Sequence, residues 1–476
     1  MTRHGEKFLT ADVEGHPRMA ETISPARRPV PSSDRRERVG WYFYDWANSA
    51  FPTTVVTVFL GPYLTSIAEN AAGCDPQAGC QGRTVSLLGF AIAPGSLFPY
   101  LVSLSVFLTV FVLPVVGAIA DRSPRKKELL ALFAYLGAGA TMAMLFLTGD
   151  RFALGAVLFI VANVSFGASV VVYNSFLPQI AGPNERDSVS SIGWAVGYIG
   201  GGLLLALNVA AVLGKDALGL DTAEVARYSI VSAGVWWAVF TTVPLLVLRN
   251  RMPELGPVRG PALLEGFRQL WRTLRQLRAY PLTLFFLAAY LVYNDGIQTV
   301  ISLASVYGVK ELKLSDEVLV PTILMVQFLA FVGALGMGAL ARRIGAWKTV
   351  LLSLVLWTVV IGVAYQLPAG QAVPFIVLGG GIGIVLGGSQ ALSRSLFSQL
   401  IPAGKEGEYF SLYEISDKGT SWLGPLLFGL AYGITGSYRT AIISLLVFFV
   451  AGFLLLLMVP MRRAIIAAGN VPPARL

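Results

Sequence analysis

The sequence predicts an all-α membrane protein of twelve transmembrane helices, arranged as two six-helix lobes. Three observations lead there. Hydrophobic residues make up 55% of the 476-residue chain and charged residues only 13%, about half the charged share of a soluble domain. The apolar residues gather into runs near the roughly 20 residues a helix needs to cross a bilayer. The stretch Gly117-Ala118-Ile119-Ala120-Asp121-Arg122-Ser123-Pro124-Arg125-Lys126-Lys127 recurs 221 residues later as Gly338-Ala339-Leu340-Ala341-Arg342-Arg343-Ile344-Gly345-Ala346-Trp347-Lys348, with five of eleven positions identical. The same offset pairs Gly167 with Gly388, Phe176 with Phe397, Glu185 with Glu406 and Ser190 with Ser411. A membrane protein that repeats itself half a chain later is most often a two-lobed transporter.

The elements follow in order. Residues 1–38 hold charges throughout and no long apolar core. They read as a disordered tail rather than a signal peptide. The tail ends in Asp34-Arg35-Arg36-Glu37-Arg38, expected to sit at the membrane surface. Twelve spans are expected near 41–67, 97–120, 128–148, 152–174, 188–213, 228–248, 282–308, 318–340, 347–367, 373–396, 409–434 and 439–461. The apolar stretch 85–96 is too short to span and contains Pro94, so it reads as an interfacial or re-entrant lead-in. The resulting domains are a tail (1–38), an N-terminal lobe (39–248), a basic linker (249–281), a C-terminal lobe (282–463) and a second tail (464–476).

Positive charge sets the expected orientation. With both termini cytoplasmic, the inner segments hold 27 Lys and Arg and the outer loops seven. Seven arginines stand between Arg249 and Arg278, and 263–277 reads as an amphipathic helix on anionic lipid or, failing that, as a solvated linker. The net charge of +9 is thus placed for lipid, not nucleic acid. Cys74 and Cys80, in the first outer loop, are either a small-loop disulfide or two thiols; two cysteines do not make a four-ligand zinc site. There is no P-loop pattern, and the two histidines, His4 and His16, lie in the tail. Neither nucleotide-driven transport nor a histidine relay in the membrane is therefore indicated. No cofactor, metal or enzymatic activity is expected, and the chain is expected to act as a monomer.

The Gly-x-x-Ala-Asp-Arg-x-x-Arg-Lys-Lys turn resembles the signature loop of the major facilitator superfamily. The segment Gly40-Trp41-Tyr42-Phe43-Tyr44-Asp45-Trp46-Ala47-Asn48-Ser49-Ala50-Phe51 is more specific. With Pro99 to Val106 and Tyr173-Asn174-Ser175-Phe176-Leu177-Pro178, it is similar to the vacuolar effluxer family linked to autophagy and its bacterial relatives. The resemblance covers all twelve spans. It implies the major facilitator fold, transport by alternating access, and a site between spans one, four, seven and ten. An amino acid or similar polar solute, and export over import, rest on the resemblance alone.

Ionisable groups inside spans are costly and usually functional. The candidate substrate or proton-coupling residues are Asp45, Asn48, Asn174, Asn294, Asp295, Gln298, Gln390, Arg394 and Asp417. Asp45 either lines the cavity or pins a neighbouring helix. Asp295 is the deepest acid, at mid-span. Glu414 and Lys418 are four apart and expected to pair on one helix face, which leaves Asp417 for Arg394 or for a proton. A fixed ion pair near the inner interface explains the same residues. The inner gate is assigned to Gly117, Asp121, Arg122, Arg125, Lys126, Gly338, Arg342 and Arg343. Asp121 is placed to meet a neighbouring helix N-terminus. Because Arg342 stands where Asp121 does in the first copy, the latch is expected to be asymmetric. Glycines repeating every four residues at Gly193, Gly197 and Gly201, and at Gly379, Gly383 and Gly387, are read as helix-packing stripes. Trp41, Trp46, Trp236, Trp237, Trp347 and Trp422 are read as an interface belt.

Overall fold

The computed structural model describes residues 34–74, 83–87, 89–252, 280–418, 423–435 and 437–476. The amphipathic stretch 263–277, Cys80, Trp422 and residues 1–33 lie outside the described residues. Among the described residues, eleven helices are long and apolar enough to cross a membrane. The expected span at 409–434 is not among them. It is described as two shorter helices on either side of residues 419–422.

The N-terminal lobe runs α1 (Arg35–Asn48), a π-helical segment (Phe51–Phe59) and α2 (Leu60–Ala71), which together form the first span. Then come α3 (Pro94–Arg122), α4 (Lys126–Ala143), α5 (Phe152–Asn174), the short α6 (Leu177–Ile180), α7 (Arg186–Leu213), the short α8 (Lys215–Leu218) and α9 (Thr222–Val247). The C-terminal lobe runs α10 (Pro281–Lys310), α11 (Asp316–Ile344), α12 (Ala346–Gln366), α13 (Ala372–Gln399), α14 (Glu406–Lys418), α15 (Leu423–Thr435), α16 (Tyr438–Ser444), α17 (Leu446–Met458) and α18 (Met461–Ala467). Two hydrophobic cores divide these helices. One draws on residues from Trp41 to Leu248, the other on residues from Phe286 to Ile465.

The stretch 85–96 is a short β-ribbon leading into the second-span helix rather than a re-entrant segment. Val85–Leu87 pairs antiparallel with Phe90–Ile92, turning at Gly89 with φ +86°, and α3 starts directly after at Pro94. A two-strand ribbon satisfies its backbone groups locally, which an isolated re-entrant segment cannot do in lipid. Cys74 follows α2 and is disulfide-bonded.

The glycine stripes let helices nest. A Cβ at Gly193 would lie 2.6 Å from Asp45 Oδ2, and one at Gly197 2.8 Å from Ser49 Oγ. One at Gly201 would lie 2.9 Å from Thr53 Oγ1. Thus α7 lies against α1 and the start of the π-helical segment. In the other lobe Gly383 and Gly387 meet the α11 backbone at Val326 and Ala330.

The end of the bundle that holds the α3–α4 turn, called the inner end here, is tied across many elements. Asp34 caps α1 by accepting the Arg36 N–H. Glu37 accepts from Arg251 at 2.7 Å and from the Arg249 backbone, fixing the start of α1 to the end of α9. Arg38 pairs with Glu185 at 2.7 Å. Slight burial works to raise the Glu185 carboxyl, but the Arg38 guanidinium and the Gly182 N–H outweigh it and hold its pKa below the ordinary range. Residues 464–476 are packed as well: Ala464 and Ile465 are in the C-terminal core. Asn470 donates to the Gln399 and Ile401 carbonyls. Arg475 donates to the Arg342 and Arg343 carbonyls at the end of α11.

Candidate functional site

Asp45, on α1, and Arg394, on α13, meet across the two lobes. Arg394 Nη2 lies 3.1 Å from Asp45 Oδ2. Both residues are buried, Arg394 at 2% exposure and Asp45 at 8%. A buried guanidinium is tolerable only when its donors are satisfied. Here Nε donates to Ser190 Oγ at 2.9 Å and Nη2 to the Ser190 carbonyl at 2.9 Å. Nη1 reaches Asn174 Oδ1 at 3.4 Å. The Tyr173 hydroxyl donates to Asp45 Oδ2 at 2.7 Å. The guanidinium also lies over the Trp41 ring, 4.8 Å from its centroid, and near Trp194 at 5.3 Å. Such contacts add to the pair when desolvated. Trp41 stacks on Tyr173 at 4.4 Å and donates its indole N–H to the Tyr173 carbonyl.

This hub corrects two expectations. Arg394 pairs with Asp45 and not with Asp417. Trp41 and Trp237 are fully buried in the first core, not at an interface. The helical rotation of α13 places Arg394 toward α1 and α7, whereas Asp417 on α14 points toward α10. There Asp417 Oδ1 accepts from Tyr290 at 2.7 Å and from Asn294 at 3.0 Å, and Asn294 Oδ1 accepts from Gln390 at 2.9 Å. Glu414 has a partner that the expected helix pairing did not include. It accepts from Asn174 Nδ2, on the other lobe, at 3.0 Å. The Lys418 side chain lies outside the described residues.

Asp295 stands apart from the hub. It is 1% exposed, and among the described residues neither carboxylate oxygen makes a hydrogen bond of good geometry, the Gly424 backbone N–H being the donor it faces. A Cβ added at Gly424 would come 3.1 Å from Oδ2, so the acid points at α15 within its own lobe. Asn48 is buried on α1 and Gln298 is partly buried on α10; the hub contacts involve neither.

The inner gate lies below the hub. Asp121, at the end of α3, accepts the Gly407 N–H at 2.7 Å and the Glu408 N–H at 2.9 Å. These are first-turn amides of α14 in the opposite lobe, where unpaired N–H groups and the helix dipole favour an anion. Lys126 Nζ is 3.9 Å from the same carboxylate. Arg125 is exposed on the turn, so Lys126 is the cation that shares the buried acid. Gly117 permits this approach: a Cβ there would fall 2.3 Å from the Gly407 carbonyl oxygen.

In the second copy, Gly338 backs onto Ser191, and Arg342 donates to Ser188 Oγ at 3.2 Å. Arg343 is exposed. One copy thus uses a carboxylate on a helix N-terminus and the other a guanidinium on a hydroxyl.

Sequence reasoning passed over several gate residues. Arg186 donates to the Ser398 carbonyl at 2.7 Å, and Asp187 accepts from Ser395. Gln399 donates to the Pro183 carbonyl, and the Ala474 N–H to Asn184 Oδ1. The signal was the Glu185-Arg186-Asp187 charge cluster opening α7, which the repeat aligns with the start of α14. From the inner end up to the Thr53–Gln327 contact at 3.3 Å, the lobes are hydrogen-bonded together. In this state the inner end is shut.

Comparison with known proteins agrees with this architecture. Residues 33–469 match the family described as "Vacuole effluxer Atg22 like". An uncharacterised MFS-type transporter of Bacillus subtilis (strain 168), YxiO, is 28% identical over 428 residues, covering 89% of this chain and 95% of that protein. Autophagy-related protein 22 of Kluyveromyces lactis is 28% identical over 461 residues, covering 88% and 92%. The structure of the proton:xylose symporter XylE superposes with a TM-score of 0.64 at 12% identity, over 89% of this chain and 94% of that one. That last likeness shows the fold, the major facilitator fold. The chain is a multi-pass membrane protein and belongs to the Atg22-like vacuole effluxer family, whose members are transporters of the major facilitator type rather than enzymes.

Proposed function

We propose that this chain is a secondary active transporter that moves a small polar solute across a bacterial inner membrane by alternating access, with both termini and the linker 249–281 cytoplasmic. It works as a monomer among anionic lipids. The observation that carries the reading is the buried Asp45–Arg394 pair bridging the lobes directly above a shut gate. A cationic and an anionic group, each borrowed from the other lobe, form a complementary site for a zwitterion once the lobes part. The guanidinium suits a carboxylate bidentately and Asp45 suits an ammonium. An amino acid fits that chemistry. Export is the preferred direction, on the family's description.

Coupling to protons falls to carboxyl groups, because both histidines lie in the N-terminal tail. Asp295 is the first candidate, being buried without a charged partner among the described residues. In proteoliposomes, accumulation of a pooled radiolabelled amino-acid mixture against its gradient is expected for the wild type. Asp295→Asn should lose accumulation and keep exchange. Downhill equilibration alone in the wild type would point to a passive channel. No movement of the pool would reject the solute class.

The orientation is tested separately. Periplasmic-reporter fusions near Gly82 should be active and fusions at Gly260 inactive; the reverse pattern would invert the topology.

A further inference from the structure

Arg394 has a problem that the shut state hides. Asp45, Ser190, Asn174, Trp41 and Trp194 all belong to the N-terminal lobe, while Arg394 belongs to the C-terminal lobe. Parting the lobes at the inner end removes every one of these partners together. A guanidinium stripped of its counter-ion in a cavity between low-dielectric lobes is only partly compensated by entering water, so an anion carried by its own lobe stabilises the open state.

The structure points to one. Asn174 stands between Arg394 and Glu414. Its Oδ1 takes Arg394 Nη1 at 3.4 Å, and its Nδ2 donates to Glu414 Oε1 at 3.0 Å. Glu414 is buried on α14, in the same lobe as Arg394. When the lobes separate, the amide that stands between the two charges leaves with α5. Asp45 retains the Tyr173 hydroxyl, which is in its own lobe.

We infer that Glu414 is a positioning residue of the transport cycle, the carboxylate that receives Arg394 when the inner end opens. The guanidinium thus alternates between Asp45 in the shut state and Glu414 in the open one. Each hand-over frees Asp45 to meet a cationic group arriving in the inner cavity. The inference rests on the alternating-access reading above.

The test reads gate opening without any solute. Ser191 is 2% exposed against Gly338, and its hydroxyl has no hydrogen-bond partner among the described residues, so Ser191→Cys buries a thiol in the shut gate. Maleimide labelling of that thiol, on purified protein in nanodiscs, reports opening. Glu414→Gln still accepts from Asn174 but offers Arg394 no charge, and labelling should fall about tenfold or more. Asp45→Asn removes the partner of the shut state and should raise labelling. Glu414→Asp should restore the wild-type rate. The double variant Asp45→Asn/Glu414→Gln should fall between the two single variants.

A wild-type rate in Glu414→Gln, or labelling raised by it as by Asp45→Asn, would overturn the inference and leave alternating access standing. A thiol that is never labelled in the wild type or in Asp45→Asn would overturn the alternating-access reading itself. Loss of fold in Glu414→Gln alone would show up as non-specific labelling that the Asp45→Asn background does not offset, and would assign Glu414 a structural role instead.

Discussion

Asp45→Asn is expected to abolish concentrative transport while leaving an inserted, folded protein. The side chain is nearly the same size, so the nesting of α1 against Gly193 survives. What changes is the charge. Arg394 is left buried without a counter-ion, and removing one partner of such a pair costs about 3–5 kcal/mol. The two lobes of the shut state share that pair, so the loss falls on the shut state and not on either lobe alone. A shift of that size is more than about a hundredfold in the open–shut equilibrium, and the carrier spends its time with the inner end parted. Arg394→Gln should also stop transport, since it removes the donor to both Ser190 and Asp45. The measurement is counterflow in proteoliposomes, with detergent-solubilised thermal stability as the control for folding. A double variant Asp45→Asn/Arg394→Gln less impaired in stability than the sum of its parts identifies the pair as the coupled unit.

Gly117→Ala should be more damaging than Gly338→Ala, although the two glycines occupy the same place in the repeat. A methyl at Gly117 meets the Gly407 carbonyl at 2.3 Å, with the Glu408 backbone nitrogen at 2.9 Å. Those are backbone atoms of the helix end that holds Asp121, and they cannot turn away. At Gly338 the nearest atoms are Ser191 Oγ at 2.5 Å and Ser191 Cβ at 2.6 Å; the hydroxyl can rotate but the Cβ cannot, so α7 must give slightly there. Overpacking costs about 1–3 kcal/mol; Gly117→Ala, wedged into the backbone that holds Asp121, belongs at the top of that range and Gly338→Ala lower. Both propped gates should label more readily at Ser191→Cys and transport more slowly. Equal effects would mean that the two copies latch symmetrically.

Eleven of the expected spans and the two lobes were legible because they depend on properties a sequence states outright: apolar length and the offset repeat. The glycine stripe at Gly193, Gly197 and Gly201 was legible for a similar reason, since a four-residue spacing lies on one helix face. Asp121 on a helix N-terminus followed from its place at the end of a span. Partner choice was not legible. Asp45 and Arg394 are 349 residues apart, and which acid Arg394 meets depends on how α13 is rotated against α1 and α14. The Asn174–Glu414 contact was not legible either, because nothing in the spacing says that Asn174 of the other lobe stands opposite. Trp41 was misplaced because an aromatic near a span end suits both an interface belt and a buried stack; only the position of Tyr173 decides between them. The hairpin at 85–92 was missed because its strands, at three residues each, are too short to show a period.

If the inner end opens and shuts about the Asp45–Arg394 pair, two distances should be found across it. Spin labels at Lys127→Cys, on α4, and Ala403→Cys, before α14, place one reporter on each lobe at that end. Pulsed electron–electron distance measurement in nanodiscs should give a short population matching the shut structure and a second, longer one. Asp45→Asn should move weight to the longer distance and Glu414→Gln to the shorter. A single short distance, unchanged in both variants, would mean that the Asp45–Arg394 pair does not gate the inner end.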